Sequence, residues 1–156
     1  MKEIVFYTND KKNSLKKTIM GNYLVDFCGD NLCNFDFSMR EIYGWQFINT
    51  TLQNSSFQKS YVYWTSFELG DLSFADLSQA TFCGCYFADA VFYNANLRGT
   101  KFLKDSLGGC NDFSNCDLTN ILFDRTTLWE GTCYNSRTKF PDNFSPIDYG
   151  MTFSEE

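Results

Sequence analysis

The sequence predicts an all-β coil that turns a corner every five residues. An apolar Phe, Leu, Ile or Val stands at every fifth position from residue 27 to residue 107, seventeen times without interruption. A period of five matches neither the 3.6-residue turn of a helix nor the two-residue alternation of a flat strand. A chain that turns a corner every five residues keeps each of these side chains inside. The apolar centres are Phe27, Leu32, Phe37, Ile42, Phe47, Leu52, Phe57, Val62, Phe67, Leu72, Leu77, Phe82, Phe87, Phe92, Leu97, Phe102 and Leu107.

A second recurrent position supports the coil. A small residue stands two positions before each centre from Leu52 to Phe102, as a crowded interior beside a bulky side chain requires. The first coil departs from this rule, because Phe35, Arg40 and Trp45 occupy the same position. The wall there is expected either to splay or to be covered by the N-terminal segment.

Residues 1–24 are expected to cap the first coil, because the open end of a solenoid invites aggregation. Residues 3–7 read as a short strand. Asn13 or Ser14 is a suitable start for a brief Lys-rich helix that ends at about Met20.

The five-residue period slips by one residue after Leu107. Gly108 and Gly109 allow positive φ, which predicts a one-residue bulge at a corner and no long inserted loop. The centres that follow the slip are Phe113, Leu118, Phe123, Leu128 and Cys133.

The repeat is clearest in ADLSQ at 75–79 and in ANLRG at 95–99. This pattern resembles the pentapeptide-repeat family over residues 25–133. The resemblance implies a right-handed quadrilateral parallel β-helix, with four repeats in each coil and about five and a half coils in all. Residues twenty apart should then stack in one column, as the like side chains of Phe27, Phe47 and Phe67 suggest.

Residues 134–156 form a short tail after the last repeat. Thr138, Phe140, Pro141, Phe144 and Pro146 stand at a spacing that resembles the tail of cyanobacterial members of the family. Phe140 and Phe144 are expected to form a lid over the last coil.

Composition argues against an enzyme. His is absent, which removes the usual general base, the commonest metal ligand and every imidazole-based triad. Phosphate-binding and dinucleotide fingerprints are also absent from the sequence, so no cofactor and no metal is expected.

Charge and cysteine content predict the compartment of the protein and the redox state of its thiols. The formal net charge is −6, which disfavours direct binding of nucleic acid. The short apolar run at 4–7 is too short for a signal peptide or a membrane span, so a cytoplasmic protein without membrane contact is expected. The seven cysteines show no paired spacing and are expected to be reduced thiols. A monomer or weak dimer is expected.

An aromatic surface is the first candidate for function. We number the four sides of the predicted coil from the repeat centred on Phe27, so the fourth side is the one centred on Ile42 and Val62. Its exposed aromatic residues are Tyr43, Tyr61, Tyr63 and Trp64. A patch of this kind often marks a protein contact. The alternatives are aromatic stacking that stabilises the coil, or cover by the N-terminal cap. The leading interpretation is a non-enzymatic interaction or regulatory module whose protein partner is unidentified.

An acidic face is the second candidate. The resemblance implies a second function, because the family includes quinolone-resistance proteins that mimic DNA. A protein of this kind inhibits or protects a topoisomerase such as gyrase. The five-residue register places Asp36, Asp76 and Asp117 on the third side and Asp71 and Asp112 on the second. The alternative interpretation is a solvated face, because Asp or Asn before the centre is part of the repeat.

Overall fold

The computed structural model describes residues 2–19, 21 and 24–155. In this part of the chain there are ten short strands and no helix, wound into a parallel β-solenoid of about six turns. The strands are β1 (Lys2–Thr8), β2 (Ser14–Ile19), β3 (Phe35–Asp36), β4 (Glu41–Tyr43), β5 (Tyr61–Tyr63), β6 (Thr81–Cys83), β7 (Lys101–Leu103), β8 (Asn111–Asp112), β9 (Thr132–Tyr134) and β10 (Thr152–Phe153).

Strand pairing confirms four repeats per coil. Strands β4 to β7 form one parallel sheet in which Glu41 pairs with Tyr61, Tyr61 with Thr81 and Thr81 with Lys101. Single bridges continue this twenty-residue step on the other three sides as far as residue 96, and the later single bridges join residues 22 to 27 apart. The first side stacks Asp26, Gln46, Ser66, Tyr86 and Asp112. The second stacks Asn31, Thr51, Asp71, Val91, Asp117 and Lys139. The third stacks Asp36, Ser56, Asp76, Asn96 and Leu122. The fourth stacks Glu41, Tyr61, Thr81, Lys101 and Leu128.

The core is a set of stacked rings along the coil axis. Phe27, Phe47, Phe67 and Phe87 follow one another at centroid distances of 4.8, 5.0 and 5.0 Å, with nearly parallel planes. All four are fully buried. The predicted centres from Phe27 to Phe102 are therefore interior, and like side chains stack because successive coils repeat the same backbone position.

The predicted one-residue bulge is wrong. Phe87 stacks on Phe113 at 4.9 Å, although these residues are twenty-six apart rather than twenty. Leu107 is 84% exposed. This coil therefore contains six extra residues, which leave it within residues 103–110, and we call these eight residues the inserted loop. It includes the end of β7.

A second slip lies beyond the inserted loop. Trp129 is 1% exposed and fills the interior, whereas Leu128 is 41% exposed. Tyr134 is likewise buried, and Cys133 lies on the outside of the coil wall. The buried Thr127 hydroxyl donates to the Leu97 carbonyl oxygen at 2.8 Å, so it takes the small interior position and moves the following centre by one residue.

The N-terminal cap is a hairpin rather than a strand and a helix. β1 and β2 pair antiparallel, and β1 also pairs antiparallel with β3. The predicted helix is wrong because residues 14–19 alternate exposed and half-buried positions, the period of a strand. Its predicted end at Met20 lies outside the described residues.

The hairpin explains the bulky residues of the first coil. Phe6 is fully buried and lies 5.1 Å from the Phe27 ring and 5.5 Å from the Trp45 ring. The Arg40 guanidinium lies 4.9 Å from the centroid of Phe6. The N-terminal segment therefore covers the open end, one of the two expected solutions.

Aromatic rings close the other end. Phe140 and Phe144 stack at 5.1 Å, and Phe144 lies 5.6 Å from Trp129. The predicted lid is thus present. β10 returns to pair in parallel with β9, which adds a further rung to the first side.

Two cysteines contradict the expectation of seven reduced thiols. Cys110, at the end of the inserted loop, forms a disulfide with Cys133 across 23 residues. The other five cysteines are free. The pairing was hidden in the sequence because it depends on the size of the insertion, which brings Cys110 beside the first side of the next coil.

Candidate interaction surface

The structure brings the four predicted aromatic residues together on the fourth side. We call Tyr43, Tyr61, Tyr63 and Trp64 the aromatic cluster. The rings of Tyr43 and Tyr63 lie 5.1 Å apart on successive coils, and Trp64 lies 4.5 Å from Tyr63. Tyr43, Tyr61 and Trp64 remain exposed. The cluster exists because β4 and β5 pair in register.

The inserted loop lies against the aromatic cluster. The indole N–H of Trp64 donates to a carboxylate oxygen of Asp105 at 2.7 Å. The hydroxyls of Tyr63 and Ser106 lie 3.1 Å apart in a second hydrogen bond. The inserted loop therefore covers part of the aromatic cluster, which the five-residue period did not predict.

Asp105 organises the loop. Its carboxylate accepts the backbone N–H groups of Leu107 at 2.8 Å and Gly109 at 2.7 Å. The Trp64 donor, followed by the loop N–H groups, lowers the pKa of Asp105 below its ordinary value. A Cβ at Gly109 would lie 2.6 Å from the Asp105 carboxylate, and one at Gly84 would lie 2.7 Å from it. Both glycines are thus needed for this packing.

Tyr61 is held by a residue of the next strand, β6. Its hydroxyl donates to the Cys83 sulfur at 3.7 Å. This bond, together with partial desolvation, raises the pKa of Tyr61 to about 12. Cys83 points out of the coil, as its position in the repeat predicts, yet it is buried and contacts the Lys104 carbonyl oxygen at 3.7 Å. The loop therefore shields Cys83.

A pocket flanks the other end of the cluster. It has a volume of about 320 Å³ and lies between Tyr43 and the N-terminal hairpin, which contributes Ile4 and Ile19. The cluster is thus bordered by the hairpin on one side and by the inserted loop on the other.

The predicted acidic face is dispersed over three sides. Asp36 and Asp76 share the third side as expected, and Asp71 lies on the second. Asp117 is stacked on the second side instead of the third, and Asp112 lies on the first instead of the second. The inserted loop causes both errors, since it rotates every later repeat by one side.

These carboxylates have a local structural role. Each accepts the backbone N–H of the residue two positions later, which stabilises the turn at the end of its repeat. Burial of Asp71 and Asp117 opposes ionisation, but hydrogen bonds from Ser73 and Thr119 leave both pKa values below their ordinary range. Lys139 also pairs with Asp117 at 3.3 Å.

The exposed apolar corner residues were not among the predicted site residues, although Phe74 visibly interrupts a column of asparagines in the sequence. Leu69 and Phe74 have φ of 57° and 60°, a conformation that favours Gly, Asn and Asp. In the same columns the chain has Asn49 and Asn54, with similar φ values. The signal was in the sequence, as an apolar residue two positions after a centre, where Asn is common.

Several negative findings apply to the described residues. Within 2–19, 21 and 24–155 no group of three or more His, Cys, Asp or Glu is placed to hold a metal ion. In the same ranges, no helix has the length and apolar character needed to cross a membrane.

A family comparison agrees with the coil geometry over part of the chain. Residues 71–102 match the family model for pentapeptide repeats, with eight copies. The same five-residue geometry continues on both sides of this segment, with four repeats per coil. Residues 71–102 are therefore similar to pentapeptide repeats, and the coils on either side share their geometry. Among curated proteins, none matches this chain.

Several solved structures are similar to this chain. A pentapeptide repeat protein from Nostoc Pcc 7120 is 18% identical, with 83% of this chain and 84% of that chain covered and a TM-score of 0.33. QnrB1, a plasmid-mediated fluoroquinolone resistance protein, is 12% identical, with 83% and 80% covered and a TM-score of 0.30. HetL from Nostoc sp. strain PCC 7120, involved in heterocyst differentiation regulation, is 13% identical, with 85% and 67% covered and a TM-score of 0.28.

Proposed function

We propose that this chain is a non-enzymatic interaction module, which binds a protein partner through the aromatic cluster and the inserted loop. The supporting observation is Leu107, an apolar side chain at the tip of the inserted loop that is 84% exposed. It is carried by a loop fastened to Trp64 through Asp105. An exposed apolar residue on a held loop, beside exposed aromatic rings, has the character of an interface anchor.

The arrangement suits binding better than chemistry. The rings of Tyr43, Tyr63 and Trp64 offer large apolar area with few rotatable bonds, so little conformational entropy is lost on contact. The loop is stiffened by the Asp105 hydrogen bonds and closed by the disulfide at Cys110. A preformed surface of this kind loses less conformational entropy when it binds a partner.

The test is affinity capture from the native source followed by identification of the bound proteins. The parent chain is compared with a Tyr63→Ser, Trp64→Ser double variant and with Leu107→Ser. Ile147→Ser is the matched control, because Ile147 is a similarly exposed apolar residue in the C-terminal tail. We expect one partner to be retained by the parent and the control and lost by the other two. Equal capture by all four proteins would remove this surface from consideration.

Mimicry of nucleic acid towards a topoisomerase is the competing function. It depends on five acidic residues that lie on three different sides and accept backbone N–H groups in their own turns. They are Asp36, Asp71, Asp76, Asp112 and Asp117. A supercoiling assay with purified gyrase separates the two functions. Inhibition or protection at micromolar protein that is lost in Asp36→Asn, Asp76→Asn would favour mimicry, whereas no effect favours the interaction module.

A further inference from the structure

A second apolar surface lies away from the aromatic cluster. We call Leu69, Phe74, Val91 and Tyr93 the second-side patch. Leu69 and Phe74 stand at the two corners that bound the second side in one coil, and Val91 and Tyr93 follow on the next coil. The Phe74 ring lies 5.6 Å from the Tyr93 ring, and the Phe74 N–H donates to the Tyr93 carbonyl oxygen at 2.8 Å.

The two corner residues work against local stability. Leu69 is 58% exposed and Phe74 is 52% exposed, so neither contributes a buried side chain to the core. Both adopt left-handed backbone that bulky residues disfavour. Asn54 and Asn94, in the same column as Phe74, adopt this conformation with a residue type that accepts it. Strained and exposed apolar side chains of this kind point to a role outside folding.

Charge on the surrounding sides indicates what this patch would bind. Glu68 adjoins Leu69, Asp71 lies between the two corners, and Asp89 is stacked on Leu69 in the next coil. Within residues 25–120, the acids of the first two sides are Asp26, Asp30, Glu68, Asp71, Asp89, Asp112 and Asp117. The third and fourth sides instead mix acids with Arg40, Lys59, Arg98, Lys101 and Arg125, and the inserted loop beside the fourth side carries Lys104.

The described cations near these two sides leave the patch acidic. Lys17 pairs with Asp30, and Lys139 pairs with Asp117. Arg137 is exposed in the last coil, two coils beyond Val91. The turn of the N-terminal hairpin borders the patch, where the Asn9 amide donates to the Asn54 carbonyl oxygen. The turn carries Lys11, and it carries Lys12 in an ion pair with Asp10. The patch therefore lies beyond the basic turn, among carboxylates that form no ion pair within the described part of the chain.

We propose that the second-side patch binds a basic amphipathic segment of a partner protein, with its apolar side chains on Leu69, Phe74 and Tyr93 and its Lys or Arg side chains on the neighbouring acids. Electrostatic complementarity supports this occupant. The same negative charge repels nucleic acid and anionic lipid. It also repels the equivalent sides of a second copy. This surface is separate from the aromatic cluster and does not depend on the function proposed for it.

Binding is tested by fluorescence anisotropy with three labelled synthetic peptides. The first alternates Lys with Leu, the second replaces each Lys by Glu, and the third replaces each Leu by Ser. We expect the parent chain to bind the Lys-Leu peptide at least about tenfold more tightly than either other peptide, with affinity that falls as salt rises. Absence of binding to the Lys-Leu peptide, or equal binding of the Glu-Leu peptide, overturns the proposal.

Matched variants test the location. Leu69→Asn and Phe74→Asn, combined, should weaken binding of the Lys-Leu peptide by about tenfold or more. Gln79→Asn is the control, because Gln79 is a corner residue of the same coil with φ of 59°. It should bind like the parent, and so should Leu107→Ser. Equal affinity of the double variant and the parent overturns the location.

Two further measurements keep the result interpretable. Asn suits the left-handed corner, so the melting temperature of the double variant should remain within a few degrees of the parent. Sedimentation velocity at low and high salt tests the second-copy alternative. A monomer supports the proposal, whereas salt-sensitive self-association that Leu69→Asn and Phe74→Asn abolish would show that another copy of this chain is the occupant.

Discussion

Replacing Trp129 by Ala should destabilise the protein far more than replacing its neighbour Leu128. Trp129 is 1% exposed and lies 5.2 Å from the Phe102 ring and 5.6 Å from the Phe144 ring. Removal of such a side chain leaves a cavity between the last coils and the lid. The expected loss in the free energy of unfolding is about 3–5 kcal/mol.

Leu128→Ala is the matched control, although the uninterrupted five-residue period would place Leu128 inside. Its side chain is 41% exposed, so truncation should change stability by about 0.5 kcal/mol or less. Trp129→Phe is a second control. It retains a ring and removes a buried indole N–H that has no partner, so it should cost much less than Trp129→Ala.

Urea unfolding followed by circular dichroism measures all three variants. In thermal melts, the Trp129→Ala loss corresponds to a decrease of about 6–20 °C. If Leu128→Ala proved as destabilising as Trp129→Ala, the assignment of Trp129 to the interior and Leu128 to the surface of the last coils would be wrong.

Three other outcomes follow from the same structure. Phe67→Ala should cost about 3–5 kcal/mol, because Phe67 is fully buried in the central ring stack; a parent-like melt would contradict its interior position. Cys133→Ser should lower stability by about 3 kcal/mol under oxidising conditions, since the disulfide closes 23 residues of chain. Reductant should destabilise the parent and leave Cys133→Ser unchanged; an equal response of both proteins would argue against the disulfide. The pKa of Asp117 is lowered in the folded protein, so its contribution is present above the ordinary carboxyl pKa and is lost as pH falls through the folded pKa. Asp117→Asn should therefore flatten the decline in stability below about pH 4, and an unchanged slope would contradict this assignment.

Much of the fold was predictable because its first four coils have no interruption. Every interior position from Phe27 to Phe102 repeats at five residues, and each corner reproduces the same turn. The period therefore reports the geometry directly. The hairpin was partly predictable: β1 was expected as a strand, but the alternation in β2 was hidden by its lysines.

The inserted loop was not predictable from the period. It adds six residues, which equals one repeat plus one residue, so a count in fives registers only a single extra residue. Leu107 falls on the period by coincidence and is held outside by a loop that Asp105 closes. Every later repeat is consequently assigned to the wrong side, which explains the misplaced Asp112 and Asp117.

The candidate site also has a part that the sequence predicts and a part that it does not. The aromatic cluster lies within the regular coils, so its members could be grouped from their positions in the repeat. The contact between Trp64 and Asp105 joins residues 41 apart through a side-chain hydrogen bond. No periodic signal encodes such a contact, and the same is true of the Cys110–Cys133 disulfide.

The role of the inserted loop and aromatic cluster can be tested most directly by NMR of the indole N–H groups. The chain has three tryptophans, and Trp45→Phe, Trp64→Phe and Trp129→Phe assign their resonances. On addition of the captured partner, we predict that the Trp64 resonance shifts or broadens while that of the buried Trp129 stays in place. A saturated complex in which the Trp64 resonance is unchanged would contradict the role proposed for the aromatic cluster.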